Sequence, residues 1–382
     1  MTTIKKILFV LISLFIIVAI ALFFYFYVQK GEGTKEVTDN QDNLPSPSGK
    51  NAGIVDGETG KQEKIVFISN EKVISPTIKD GKINFFSQTN GELFEINLDG
   101  SNLQKIPATS LTDLIKIIWS PDNDKVVGIF KENEQIKKYF FDYKNNKSIS
   151  LSQNLRWVTW SPDSNKIAYQ YIDEIKGINV ISVSEPDGSN WKNIFNTRIE
   201  DLIINWPLED KISIHPKPSG HAPGMIALIN PITEFYEIVL SNIFGLSINW
   251  SSKGDKFIYS NTDSDGKNLK LYLWNEKNKT SKELDFITLP EKCTFDQDGL
   301  NIFCAIPQKI SLNAVWPDDY YMGIISTKDD LYKINLETNE KIKIIASGDD
   351  QYYDAKELMI SPNQDYLIFI NKRDGKLYSV RF

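Results

Sequence analysis

Histidine, cysteine and arginine are scarce in this chain, with two, two and four residues among 382. The scarcity excludes much. Four arginines, with no basic run beyond the N-terminus, argue against nucleic acid as a partner, because phosphate neutralisation needs clustered cations. His215 and His221, the only histidines, share one Pro/Gly-rich stretch with no cysteine near. Zinc takes three or four ligands in a defined geometry, so no metal and no cofactor is expected. Neither a Gly-x-Ser-x-Gly elbow nor a Gly-x-x-x-x-Gly-Lys-Ser/Thr loop occurs, which sets aside serine-hydrolase and phosphate-loop chemistry. Net charge is −7, and residues 1–30 hold three lysines and no acid, which leaves −10 on the remainder. An acidic surface of that kind favours solubility.

What is abundant is a phrase. Trp160-Ser161-Pro162-Asp163-Ser164-Asn165-Lys166-Ile167-Ala168-Tyr169 reads as strand, tight turn, strand, with proline fixing φ and Asp/Asn tolerating a bent backbone. It returns at Trp119-Ser120-Pro121-Asp122 and Trp250-Ser251-Ser252-Lys253, and in worn form at Trp206, Phe295 and Ile360. Ile74-Ser75-Pro76-Thr77 reads as the opening copy. The tryptophan-equivalent positions 74, 119, 160, 206, 250, 295 and 360 are spaced by 45, 41, 46, 44, 45 and 65 residues. A period of about 40–45 residues with four short strands per unit is the mark of a β-propeller blade. The expected fold is all-β, a seven-bladed β-propeller. Departures from the phrase in the fourth to sixth units leave six blades as the alternative.

Residues 7–28 are apolar except for Ser13. As a helix they reach roughly 33 Å, enough for a bilayer core of about 30 Å. Lys5 and Lys6 precede the run, which favours a cytoplasmic N-terminus and an exported body. Phe23-Phe24-Tyr25-Phe26-Tyr27 replaces a small-residue cleavage site, so 1–28 reads as a cytoplasmic stub and uncleaved single-pass transmembrane anchor. Residues 29–62 are polar, contain Pro45-Ser46-Pro47-Ser48-Gly49 and read as a flexible linker. The propeller is expected over 63–382, extracellular or periplasmic. Its last unit stops after a third strand at 377–382, so 65–69 is expected to supply the fourth and close the ring.

The phrases at Trp160 and Trp119 resemble the repeats of TolB-like, WD-type β-propellers and of the non-catalytic propellers in prolyl-oligopeptidase-type enzymes. The resemblance covers about 63–382. It implies a bacterial envelope protein and a propeller fold, and it is a poor guide to activity, because function sits on grafted sites. Cys293 and Cys304 flank an Asp298-Gly299 turn and read as cross-strand partners in a disulfide, with two buried thiols as the alternative.

Two loops on one face are long. One is His215-Pro216-Lys217-Pro218-Ser219-Gly220-His221-Ala222-Pro223-Gly224 in the fourth unit; the other is an insertion at 307–325 in the sixth. The insertion is too aromatic for disorder, and Trp and Tyr are enriched at binding hot spots. The expected binding surface is Trp316, Tyr320 and Tyr321, with Asp318, Asp319, His215 and His221 as polar neighbours. The alternative is a plug over the ring mouth with Trp316 buried. Acidic turns such as Thr294-Phe295-Asp296-Gln297-Asp298-Gly299, which is loosely like a sialidase Asp-box, and Asp263-Ser264-Asp265-Gly266 most simply cap themselves. No enzyme is expected. The expected function is a monomeric scaffold that binds an envelope protein, a peptide or a cell-wall glycan. A glycan-processing enzyme with carboxylates at the mouth is the alternative.

Overall fold

The computed structural model describes residues 64–107, 110–349 and 351–382. They form seven four-stranded antiparallel sheets, which we number as blades 1 to 7. The first strands are Val73–Lys79, Leu114–Trp119, Leu155–Trp160, Ile203–Leu208, Ile248–Trp250, Cys293–Phe295 and Ala355–Ile360. First strands of neighbouring blades meet one another, while the fourth strand Thr280–Glu283 of blade 5 is exposed throughout. The blades therefore stand radially, with first strands inside. The anchor at 7–28 and the linker at 29–62 lie outside the described residues. Among the described residues no helix is long and apolar enough to cross a membrane.

Second strands such as Lys82–Ser87 and Ile167–Asp173 are buried along most of their length, because a blade is covered on both faces by its neighbours. Their sequences are correspondingly near-continuous apolar runs. Each core lies between two sheets. Phe140 and Val127 of blade 2 pack with Leu155, Trp160 and Tyr169 of blade 3, and Ala168 and Ile181 of blade 3 pack with Ile204 and Ile214 of blade 4. The repeated tryptophans add a directional tie. Trp160 Nε1 donates to Ile118 O of the preceding blade at 2.9 Å, and Trp119 Nε1 donates to Ser75 O at 2.8 Å. Trp250 Nε1 donates to Ser213 Oγ across the boundary between blades 4 and 5 at 3.0 Å. A tryptophan suits this place because it fills apolar volume and still satisfies its one donor.

The Ser-Pro-Asp turns cap themselves. Ser161 Oγ donates to Asp163 at 2.6 Å and accepts from Lys166 N at 2.8 Å, and Asp163 also accepts from Asn165 N at 3.1 Å. Burial pushes the Asp163 carboxyl up, but these hydrogen bonds outweigh it and lower its pKa. Asp296 likewise accepts from Leu300 N, Asn301 N and Asn301 Nδ2, which engages the carboxylate central to the Asp-box-like stretch in its own turn.

One repeat was misaligned by the phrase. In blade 1 the hairpin turn is Asp80-Gly81, both at positive φ, and Lys79 pairs with Lys82. Ser75-Pro76 lies inside the first strand, at a bulge that matches Trp157-Val158 in blade 3. Proline is tolerated there because the ladder is interrupted and no donor is missed. The position equivalent to Trp160 is Ile78, so the first step is 41 residues.

The ring closes as the chain order implied. Lys64–Phe67 pairs antiparallel with Lys376–Arg381, matching Ile65 to Val380 and Phe67 to Tyr378. Ile68 N donates to Leu377 O at 2.9 Å, and Leu377 N donates back to the buried Ser69 Oγ at 2.9 Å. Cys293 and Cys304 are register partners joined by a disulfide, with Cα atoms 4.1 Å apart.

Deleting 64–69 would uncover the edge of Lys376–Arg381 and remove Ile65, Phe67 and Ile68 from the core. Each fully buried side chain of this size contributes about 1.5–3 kcal/mol. The melting temperature is expected to fall by about 10 °C or more. An unchanged melting curve would mean that the seventh blade does not need its fourth strand.

Candidate functional site

Connections from second to third strands and from blade to blade share one face, which we term the mouth. Ser-Pro-Asp turns and third-to-fourth-strand turns share the other. The insertion fills 308–328, between Asn301–Pro307 and Asp329–Asn335 of blade 6. Its one short helix is Asp318–Tyr321. The segment crosses several blades. Trp316 N donates to Gly266 O of blade 5 at 2.8 Å, and Asp318 accepts from Gly220 N of blade 4 at 2.6 Å and from Ser219 Oγ at 3.2 Å. Lys372 of blade 7 donates from Nζ to Tyr320 O, with its ammonium 3.5 Å from the ring centroid. Glycine is needed where the backbones touch. A Cβ on Gly220 would meet Trp316 O at 2.6 Å and Gly266 Cα at 2.7 Å.

Beneath the helix lies a buried ionic cluster. Lys292, in the 3-10 turn Pro290–Lys292, places Nζ 2.8 Å from Asp329 Oδ2 and 2.7 Å from Asp354 Oδ1. The same ammonium donates to Thr327 Oγ1 at 3.0 Å and to Tyr320 Oη at 3.2 Å. Asp354 also accepts from Tyr320 Oη at 2.8 Å, Ser326 Oγ at 2.9 Å, Thr327 Oγ1 at 2.9 Å and Thr327 N at 3.1 Å. Burial pushes the Asp354 carboxyl up, but Lys292 and these donors outweigh it and hold the pKa at about 2. Asp329 goes the other way. Burial dominates, the Asp354 charge adds to it, and its pKa is raised; its Oδ1 is buried without a partner. The cluster ties blade 6, blade 7 and the insertion together.

The structure distributes the expected site residues unevenly. Trp316 and Tyr320 are 2 % and 3 % exposed, so their rings serve the docking of the insertion itself. Trp316 Nε1 donates to Ser311 O, and Asp319 accepts from Val315 N, both within the insertion. Tyr321 is 45 % exposed, and its hydroxyl turns inward to Ser247 and Glu291. His215 is buried, donates from Nδ1 to Pro216 O at 2.9 Å, and is held neutral by burial, with a pKa of about 4. His221 is exposed. The loop that carries them does meet the insertion, through Ser219 and Gly220 rather than through either imidazole. Among the described residues no His/Cys/Asp/Glu group could hold a metal. Asp263 caps its own turn by accepting from Lys267 N at 2.7 Å and Asp265 N at 3.1 Å.

Sequence reasoning missed Lys292, Asp329 and Asp354. The usable signal was slight: a lysine at the entrance to one first strand and acids before two apolar strands, all on the mouth side. It also missed Glu291, whose carboxyl is raised by burial and whose Oε1 has no partner, while Oε2 accepts from Ser247 Oγ at 3.3 Å.

Compared by sequence, the chain matches no family model and none of the curated proteins. Solved structures share its fold. An oligogalacturonate lyase from Vibrio parahaemolyticus is 12 % identical with a TM-score of 0.60, over 84 % of this chain and 94 % of that one. The β-propeller domain of the Trilobed protease from Pyrococcus furiosus, described as having an open velcro topology, is 12 % identical with a TM-score of 0.54, over 82 % and 94 %. TolB from Acinetobacter baumannii is 13 % identical over 76 % and 59 %, and its TM-score of 0.38 is too low to argue from.

Lys292→Met leaves two buried carboxylates without their cation and is expected to cost about 3–5 kcal/mol. Asp354 adds a pH dependence. Its folded pKa lies below the ordinary value of 3.8, so its contribution is present above that value and lost as pH falls toward 2. Denaturant unfolding of both proteins between pH 7 and pH 2 checks this. Equal stability of variant and wild type would deny the cluster its role.

Proposed function

We propose that the chain is a membrane-anchored, extracytoplasmic binding module whose mouth receives an envelope protein, a peptide or a cell-wall glycan. One observation carries the reading. The insertion turns Trp316 and Tyr320 inward and leaves Tyr321, Met322 and Ile324 exposed. Exposed apolar side chains that share a patch mark interaction surfaces, whereas the carboxylates of Asp329 and Asp354 are closed off around Lys292. Lys64 begins its strand opposite Arg381, on the face away from the mouth.

A glycan-processing enzyme is the second reading, favoured by Glu291. A carboxyl raised by burial at a mouth suits general acid catalysis, and one structural neighbour is named as an oligogalacturonate lyase. It would require a second carboxylate open to the same space.

A photo-crosslinking residue placed at Met322 or Ile324, in cells that make the full-length chain, is expected to yield discrete adducts that Met322→Asp abolishes. The same residue at the exposed Leu103, on the opposite face, is expected to yield few. Equal adducts from both faces would remove the mouth as the docking surface.

A further inference from the structure

Third-to-fourth-strand turns lie on the face away from the mouth. In blades 5 and 6 they are polar, reading Glu276-Lys277-Asn278-Lys279 and Glu337-Thr338-Asn339-Glu340. Blade 4 departs from this. Its turn leaves Ile232 and Phe235 76 % and 69 % exposed, and blade 3 adds Trp191, 63 % exposed, just before its fourth strand Lys192–Asn196. Tyr236 and Ile238 are exposed as well, at the start of Tyr236–Phe244, the fourth strand of blade 4.

These residues share one corner of the ring. Lys192 Nζ lies 2.7 Å from Glu234 Oε1, which joins the turn of blade 3 to that of blade 4, and the Phe195 and Tyr236 rings stand 5.1 Å apart across the same boundary. Each turn is held by its own hydrogen bonds. Asn230 Oδ1 accepts from Ile232 N and Thr233 N, both at 2.9 Å, Phe235 O accepts from Asn230 N at 2.8 Å, and Asp187 accepts from Ser189 N at 3.1 Å. The acids that interrupt the apolar residues are paired: Glu234 with Lys192, and Glu237 with Lys279 of blade 5 at 3.1 Å. Exposed apolar side chains gathered in this way mark a contact surface. Two observations choose what it meets. A second copy would add a strand along the outer edge of Tyr236–Phe244, but bulges at Val239 and Asn242 break that edge. Lys64, where the chain enters the propeller, begins on the same face, and the sequence before it carries the apolar run 7–28.

We propose that Trp191, Ile232, Phe235, Tyr236 and Ile238 seat this corner of the propeller in the interfacial layer of a lipid bilayer. Trp and Tyr suit that layer because each joins an apolar ring to a polar handle, and Ile232 and Phe235 supply apolar area at the tip of the turn. With its charges paired, the corner needs no anionic lipid. The contact rests on the reading of the chain as membrane-anchored and adds an orientation to it, with the mouth turned away from the lipid.

The test reconstitutes the full-length chain into phosphatidylcholine vesicles with and without bromine on the acyl chains and reads tryptophan fluorescence. No tryptophan lies in residues 1–63, so quenching by bromine reports the propeller and not the apolar run. Wild type is expected to be quenched, and Trp191→Phe should lose most of that quenching. The double variant Ile232→Asp/Phe235→Asp should lose it too, with an unchanged melting temperature, because both side chains are exposed. Raised salt should leave the quenching in place, since screening acts on charges and the contact is apolar. Equal quenching of wild type and Trp191→Phe, or its loss in raised salt, would overturn the contact. A dimer in detergent that the double variant converts to a monomer would give the corner to a second copy and overturn it as well. Carbonate extraction of the vesicles tests the anchor separately. A chain that carbonate removes, yet whose Trp191 is quenched beforehand, would fail the anchor alone; a chain that resists carbonate without Trp191 quenching would fail the contact alone.

Discussion

A blade cannot bury both faces by itself. Each four-stranded sheet is apolar on two sides, and only a neighbour on each side removes that surface from water, at roughly 25 cal/mol per Å². The requirement propagates around the ring until the first and last blades meet, so the two ends of the propeller must cooperate. The pairing of Lys64–Phe67 with Lys376–Arg381 is the hydrogen-bonded expression of that cooperation. The tryptophan indoles of blades 2, 3 and 5 then fix how each sheet is set against the one before it.

The mouth shows what the closed ring makes possible. Rigid first strands hold the connections between blades at fixed distances, so Lys292, Asp329 and Asp354 can converge from three separate stretches. A buried ammonium between two acids is costly to desolvate and tolerable only with dense hydrogen bonding, which Thr327, Ser326 and Tyr320 supply. The result is a fastened insertion whose outer side chains are free to face a partner.

Much of the fold was legible because its signals are local and periodic. The Ser-Pro-Asp turn announces itself in five residues, Cys293 and Cys304 flank a turn of known register, and the last blade visibly lacks a strand. The misplaced first repeat shows the limit of such reading. Ser75-Pro76 has the composition of a turn, yet a bulge tolerates proline as well as a turn does, and only the pairing of Lys79 with Lys82 decides between them. The site was less legible for a different reason. Lys292 and Asp354 are 62 positions apart, and nothing in Glu291-Lys292-Cys293 or Tyr353-Asp354-Ala355 predicts their meeting. The aromatic residues of the insertion drew notice by composition. Composition does not say which side of a loop faces the core: Trp316 and Tyr320 are buried and Tyr321 is exposed.

Hydrogen–deuterium exchange on the full-length chain tests ring closure most directly. The account predicts that amides within 64–69 exchange as slowly as those of Lys376–Arg381, since both belong to one sheet and open only with it. Exchange of 64–69 at free-chain rates, beside a protected Lys376–Arg381, would contradict it.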